Sequence, residues 1–489
     1  MIFDREGGSR QGRVAAWLLV AVATVGVASG FDALVVEPGF RLGVTRLALP
    51  AAHGGRLARC LVDARIVHIT DLHIRGFGLR EQRLASELER LAPDLILMTG
   101  DYGEGADGMA ALIKVLGSVK PGLGIYAVLG NNDHYRGERP QIVEALQAAG
   151  VRLLVNSSAV VEGKGGPFAI AGVDDPHYGR DDITAAMKDV PDGLPVVLLA
   201  HSPDLLRRKS RGLMVNAGDE RGPWKRGWFW QDGTHVRDDT GEVTFPSTGR
   251  RRVRVIRRED GVGIEEIRLV PTPALSPDAV AGGRSAARGG LPRLLGRRNM
   301  AEPKHVNGEI VIKAAQVADA QIRGDGWQRR ATSEGTSLFS APDRGITQTW
   351  VDVNPDSYFE AEFDAVEGIR YHVWVRLRSA NDSGTSDSLY LQFTDSLNAQ
   401  GKPDYRIGVE MAAVDTDRVD LMLAGHEHGG QVRLPFIGAL EPNVRSSPYQ
   451  MGLYRVNSMP LLVSRGIGWS SLPVRFWCPP EVVVMDTGI

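Results

Sequence analysis

The sequence predicts an α/β domain interrupted by an all-β sandwich. Three observations carry this. Residues 65–209 alternate short apolar strands with amphipathic helical stretches. From Arg211 to Val409 apolar and polar positions alternate with a period of two. After Ala412 a short apolar strand ending in glycine, VDLMLAG, restores the α/β character. A helical face repeats every 3–4 residues and a half-buried strand every two, so these periods separate the classes. Strand–helix alternation implies an α/β sheet.

In the α/β part the strands are Arg65–Thr70, Asp94–Thr99, Ile125–Leu129 and Val196–Ala200, each short, apolar and followed by Gly, Asp, Asn or His. Leu84, Leu88 and Leu91 recur at helical spacing among Arg and Glu, and Ile142, Val143, Leu146 and Ala149 suggest a second helix. In the interrupting part Tyr371, Val373, Val375 and Leu377 alternate with His372, Trp374, Arg376 and Arg378. Pro271–Pro303 is rich in Pro, Gly, Ala and Arg and reads as a linker. The expected division is an N-terminal tail over 1–13, an anchor over 14–31 and the α/β domain over 32–209 and 410–489. The β-sandwich occupies 210–270 and 307–409, joined by a linker over 271–306.

Val14–Phe31 is an uncharged run of 18 residues bounded by Arg13 and Asp32. It is close to the ~20 apolar residues a bilayer-spanning helix needs and longer than a signal-peptide core of ~7–15. With no convincing small-x-small cleavage site after it, the run reads as an uncleaved transmembrane helix rather than a removed export signal. Arg5, Arg10 and Arg13 precede it, which favours a single pass through the inner membrane with the bulk on the extracytoplasmic side. The 489 residues carry 57 Lys+Arg against 59 Asp+Glu, a net charge of -2, so the basic surplus that nucleic-acid binding needs is missing. The two cysteines, Cys60 and Cys478, allow one bridge at most and no Cys-rich zinc site. A metal would therefore be held by His, Asp, Asn and Glu.

Five strand-end segments deliver such residues: Asp71-Leu72-His73, Gly100-Asp101, Gly130-Asn131-Asn132-Asp133-His134, Ala200-His201-Ser202 and Gly425-His426-Glu427-His428. Sites in open α/β sheets form beyond the carboxyl ends of strands, so these can converge. Extended backbone would turn Asp71 and His73 to one side, and His426 and His428 likewise, with Leu72 and Glu427 pointing elsewhere. Carboxylate, imidazole and amide oxygen suit Mn, Fe or Zn. Seven ligands, Asp71, His73, Asp101, Asn131, His201, His426 and His428, are too many for one ion and suit two that share a carboxylate. Such a pair can bind a phosphoryl group and activate water.

TDLH, TGD, GNND, the isolated AH and GHEHGGQ resemble the five signature blocks of calcineurin-like metallophosphoesterases. With GNNDHYRG, AGVDDPH and AGHEHGGQVRLPFIGAL, the resemblance is to the bacterial membrane-associated branch, which includes aryl phosphodiesterases and relatives of UDP-2,3-diacylglucosamine hydrolases of lipid A biosynthesis. It covers about 63–209 and 412–486. It implies a four-layer αββα fold and a dinuclear phosphoester hydrolase. One ion would sit on Asp71, His73 and His428, the second on Asn131, His201 and His426, with Asp101 bridging and the shared water as nucleophile. The substrate would be a phosphorylated small molecule or lipid. The family usually has His where Asn132 stands. An amide donates a hydrogen bond to phosphate but yields no proton at neutral pH. His134, two residues on, is the candidate substitute.

The insert resembles a galactose-binding-like, carbohydrate-binding-module-like β-sandwich. GEIVIKAAQVADAQIRGDGWQ, YFEAEFDAVEGIRYHVWVRLRS and DSLYLQFTDS are similar to its first part, WFWQDG and VRVIRREDGVGIEEIRLVP to its last, in reversed order, as in a circular permutant. Trp228, Trp230 and Trp374 are candidate platforms for a glycan. The alternative from another class is a membrane-tethered glycan-binding envelope protein with an impaired phosphoesterase site.

Overall fold

The computed structural model describes residues 23–24, 26–49, 55–134, 139–177, 179–207, 209–216, 227–232, 241–272, 303, 305–332, 335–340, 351–379, 388–398, 401–440, 448–470 and 472–486. Residues 14–22 and 25 of the expected anchor and nearly all of the linker lie outside them. No helix of the described residues is long and apolar enough to cross a membrane.

Two six-stranded sheets form the α/β part. The first runs in the order Gly43–Ala48, Glu481–Asp486, Arg65–Ile69, Leu95–Thr99, Ile125–Val128, Val151–Leu153. The second runs Gly452–Val456, Met459–Val463, Leu421–Ala424, Val196–Leu199, Gly166–Gly172, Ser157–Gly163. Alternate residues of both sheets share one core: Ile66, Leu95, Leu97 and Val128 from the first meet Phe168, Ile170, Val197, Leu199 and Leu423 from the second. The central strands, such as Leu95–Thr99 and Leu421–Ala424, are buried and apolar on both faces because each sheet is covered twice. Val67, Ile69, Ile96 and Met98 point the other way, onto the helices Leu79–Leu91, Gly105–Leu116 and Arg139–Ala148. Leu198, Met422 and Leu461 pack against the helix Ile183–Met187. Each fully buried Leu or Ile on these faces contributes about 2 kcal/mol.

Helix Leu79–Leu91 buries Leu84, Leu88 and Leu91, starts where the Gly78 N–H donates to Glu81 Oε2 at 2.9 Å, and stops at Ala92 in the left-handed region. The helix Gly105–Leu116 lacks a clear helical spacing of apolar residues at its start. Gly105 and Gly108 break its pattern, and Gly108 is needed because a Cβ there would lie 2.3 Å from the Ile74 carbonyl oxygen. The edge strand Gly43–Ala48, its inner neighbour Glu481–Asp486 and the hairpin Ser157–Gly163/Gly166–Gly172 add to the predicted strands.

Strands Val196–Leu199 and Leu421–Ala424 are parallel neighbours, with Leu198 opposite Met422. Parallel neighbours need a long crossover, and here the β-rich region is that crossover. The outgoing and returning chains run side by side: Ser210 bridges Glu410, and the Met411 N–H donates to the Lys209 carbonyl. The region comprises a five-stranded and a seven-stranded sheet, each drawing strands from both sides of the linker. Val253, Val255, Phe359, Phe363, Val373, Val375 and Phe393 fill one core between them. Tyr371–Ser379 alternates buried with half-buried residues along its whole length. Trp230 is not an open platform: it is buried, with the Arg268 guanidinium 4.5 Å from its ring centroid. Trp228 and Trp374 are half-buried. Cys60 and Cys478 are both free and buried, so no bridge forms.

Candidate metal centre

The five segments leave the carboxyl ends of Arg65–Ile69, Leu95–Thr99, Ile125–Val128, Val196–Leu199 and Leu421–Ala424, three strands of one sheet and two of the other. Backbone hydrogen bonds lock the loops to one another. The Asp71 N–H donates to the Gly100 carbonyl at 3.0 Å, the His73 N–H to the Asp101 carbonyl at 3.0 Å, and the Gly425 N–H to the His201 carbonyl at 2.8 Å.

The side chains meet. His73 Nε2 and His201 Nε2 stand 3.4 and 3.5 Å from Asp101 Oδ2. His428 Nε2 stands 3.4 Å from Asp71 Oδ1. Asn131 Oδ1 lies 3.0 Å from His201 Nε2 and 3.1 Å from His426 Nδ1. Two triads with metal-binding spacing, Asp71–His73–His428 and Asp71–Asp101–His201, share Asp71. Asn132 contacts the same carboxylate, its side-chain amide donating to Asp101 Oδ2 at 2.7 Å. His134 Nε2 is instead hydrogen-bonded to Asp174 Oδ1 at 2.7 Å.

Extended alternation is not how the ligands come together, which corrects the expectation drawn from the strand pattern. Asp71, His73, Asp101, His426 and His428 all have φ between 42 and 72°, in the left-handed region. Such residues are uncommon outside Gly, Asn and Asp, each costs on the order of 1–3 kcal/mol, and they gather at functional sites. Leu72 turns into the core beneath. The flanking glycines permit this crowding. A Cβ on Gly425 would lie 2.3 Å from Asp71 Oδ2, and one on Gly130 2.3 Å from Asp101 Oδ1.

The supporting residues were partly hidden in the sequence. Asp133 accepts the backbone N–H groups of Gly130 and Asp101 on Oδ2, each at 2.8 Å, and that of Tyr102 on Oδ1 at 3.0 Å, so one carboxylate ties two ligand loops. Arg475, fully buried, donates to the carbonyls of Gly468, Cys478 and Arg465 at 2.8, 2.9 and 2.8 Å. It thereby braces a turn whose Gly466 and Gly468 lie flush against Asp71 and His73. Nothing in its neighbourhood of sequence announces this. His177, from the AGVDDPH stretch, places its ring centroid 5.0 Å from that of His426.

The electrostatics suit cation binding. Burial drives the pKa of His73 down, and that of His426 down to about 3 with His201 adding to the effect, so both are neutral imidazoles with a lone pair to give. His201 is pushed up to about 9 against its burial, because Asp101, Asp71 and Asp175 surround it. Its Nδ1 faces the Thr99 carbonyl at 2.6 Å, so Nδ1 carries a hydrogen and Nε2 is the atom turned to the cluster. A proton there occupies the place a cation would take. Burial and Asp101 push Asp133 up to about 7 despite its three backbone donors. Asp71 Oδ1 and His73 Nε2 are buried without a hydrogen-bond partner. Buried polar atoms left so are costly, and a bound cation removes the cost. Imidazole nitrogens and carboxylate oxygens that face one another at 3.4–3.5 Å without hydrogen-bonding fit a divalent cation.

Residues 64–225 match the family model for calcineurin-like phosphoesterases. The chain is 29% identical over 146 residues to an uncharacterized metallophosphoesterase, YkoQ, of Bacillus subtilis, a match covering 29% of this chain and 54% of that protein. It is 30% identical over 162 residues to a transmembrane protein with metallophosphoesterase domain of Danio rerio, covering 30% of this chain and 37% of that one. It is 39% identical over 67 residues to phosphodiesterase YaeI of Escherichia coli, covering 14% and 24%. The matched part thus spans about half or less of these relatives. His426 and His428 lie beyond the family match, across the β-rich region, yet close the same cluster.

Proposed function

We propose that this chain, which carries a calcineurin-like metallophosphoesterase domain, is a dinuclear metal-dependent phosphodiesterase or pyrophosphatase. The observation that carries the reading is the shared carboxylate centre: His73 and His201 face Asp101 Oδ2 from two sides, while Asp71 belongs to both metal-binding triads. Asp71, His73 and His428 would hold one cation and Asn131, His201 and His426 the other, with Asp101 between them. Two bound divalent ions supply Lewis-acid polarisation of a phosphoryl oxygen and acidify water for an in-line displacement.

The protein's own groups set the rest. Asn132 can donate an amide hydrogen bond to a phosphoryl oxygen, but it cannot protonate a leaving group. Asp133 and Arg475 hold the ligand loops in their strained backbone form. Because leaving-group protonation is weak, the reading favours substrates with good leaving groups, such as aryl phosphodiesters or pyrophosphates of nucleotide-sugar or lipid-linked type. The lipid element rests on the family resemblance together with the apolar run at Val14–Phe31, and the inner-membrane location on that run.

The test is hydrolysis of an activated aryl phosphodiester by the purified full chain with Mn added. Turnover abolished in Asp101→Ala supports the reading. Metal bound without turnover on any aryl or pyrophosphate substrate would favour the tethered glycan-binding protein.

A further inference from the structure

Among the described residues, the six most exposed large apolar side chains are Phe436, Val27, Leu472, Ile437, Phe31 and Trp477. All six lie on three neighbouring pieces of chain. Val27 and Phe31 belong to the helical residues 26–40. Phe436 and Ile437 form the tip of the hairpin Arg433–Leu434/Gly438–Ala439. Leu472 and Trp477 flank the loop that reaches Cys478.

These pieces are bonded together. The helix meets the loop where the Arg475 N–H donates to the Ala33 carbonyl at 3.0 Å and the Trp477 N–H donates to Glu37 Oε2 at 3.0 Å. The loop meets the hairpin where Val432 bridges Phe476 and the Arg433 N–H donates to the Phe476 carbonyl at 2.9 Å. The hairpin follows His428 directly, and Arg433 Nη1 donates to the Gly429 carbonyl at 2.6 Å. Three segments that expose apolar side chains are therefore bonded to one another and, through Gly429, to the metal centre.

Two of their aromatics are displayed at a backbone cost. Phe436 has φ 63° and exposure 109%; Trp477 has φ 54° and exposure 59%. Bulky residues seldom adopt the left-handed region, and apolar ones gain nothing from facing water there. A patch of this kind marks an interaction surface.

We propose that this surface lies in the interfacial layer of a phospholipid bilayer, with the Phe436–Ile437 tip and Trp477 dipping into it. Two features select lipid. In the sequence the uncharged run Val14–Phe31 contains Val27 and Phe31 of the patch itself, so an apolar phase is expected at this end. Trp is the residue best suited to the headgroup level, where one side of its ring is wet. The consequence deepens the proposed function, on which it rests for the substrate only: the site beside His428 would draw its phosphodiester from the membrane surface rather than from bulk solution.

The test uses the full chain in phospholipid vesicles, labelled with an environment-sensitive fluorophore at Ile437→Cys, with Val366→Cys as the control. Cys60 and Cys478 are buried and leave the label site-specific. With acyl-chain quencher lipid, emission at 437 is expected to fall by half or more while that at 366 does not change. Emission at 437 unaffected by quencher overturns the proposal, and a blue-shift there without quenching, the sign of a protein partner, overturns it too. No turnover enters this readout, so it stands or falls apart from the catalytic reading. A second pair of variants, Phe436→Asn and Trp477→Asn, suits the left-handed backbone. The melting temperature should hold or rise and quenching at 437 should weaken. A drop in melting temperature with quenching intact would make these aromatics structural and contradict the proposal.

Discussion

Asn132 grips Asp101 twice: its backbone N–H donates to Oδ1 at 2.9 Å and its side-chain amide to Oδ2 at 2.7 Å. Asn132, which stands where the family resemblance implies a histidine, is thus fixed at Asp101, the carboxylate proposed to lie between the cations. General acid catalysis is typically worth ~10²–10⁴-fold and matters most for poor leaving groups. Asn132→His should therefore raise the rate on alkyl phosphodiesters relative to nitrophenyl ones by about tenfold or more, within that range. An unchanged ratio across the two substrates would remove Asn132 as the determinant.

Asp133 is the knot between two ligand loops. Asp133→Asn keeps the size but loses acceptor capacity, so at least one of the N–H groups of Asp101, Gly130 and Tyr102 goes unpaired. Metal affinity and activity should each drop by about 10–100-fold, the usual effect of removing such a partner. Titration of Mn against activity checks this.

Gly425 carries a steric requirement rather than a conformational one. An added Cβ would come 2.2 Å from Thr70 Oγ1 and 2.3 Å from Asp71 Oδ2. Gly425→Ala should cost about 1–3 kcal/mol in thermal or denaturant unfolding, typical of overpacking. It should also weaken metal binding, because Asp71 is the group displaced. Retained metal affinity would show that the loop relaxes around the methyl.

How much of this was legible in the sequence follows from what each signal measures. Apolar runs such as Leu95–Thr99 report burial, and the Asp, Asn and His after them report which strand ends matter. The order of strands across two sheets, and hence the meeting of Asp71 with His428, depends on pairing between distant segments. The α/β alternation predicted the strands and the two Leu- and Ile-marked helices. It missed Gly105–Leu116 because glycine, chosen for contact with Ile74, masks a helical face. The left-handed backbone at Asp71, His73, Asp101, His426 and His428 had no signal beyond neighbouring glycines. Arg475 gave none at all, since a buried arginine that pairs with carbonyls looks like any surface arginine in a string of letters.

His68 sets a pH dependence of stability apart from the metal centre. It is buried, with Nε2 2.9 Å from Thr99 Oγ1, and burial holds its pKa down at about 4 from 6.5, with Glu481 partly opposing. Between those values the unfolded chain binds a proton that the folded chain does not, so stability falls as pH falls through that window. The loss reaches about 3 kcal/mol at its lower end. Denaturant unfolding of wild type and His68→Gln at several pH values tests the sign: the wild-type slope should flatten in the variant.

Side chains from Asp71 to His428 are proposed to hold a pair of cations on one shared carboxylate. Elemental analysis of the purified full chain, after dialysis against buffer containing Mn and then against metal-free buffer, measures it most directly. Close to two divalent ions per chain are expected in the wild type, with a clear loss in both Asp101→Ala and His426→Ala, across the β-rich region. A wild-type chain that retains no metal, or variants that bind as much as the wild type, would contradict it.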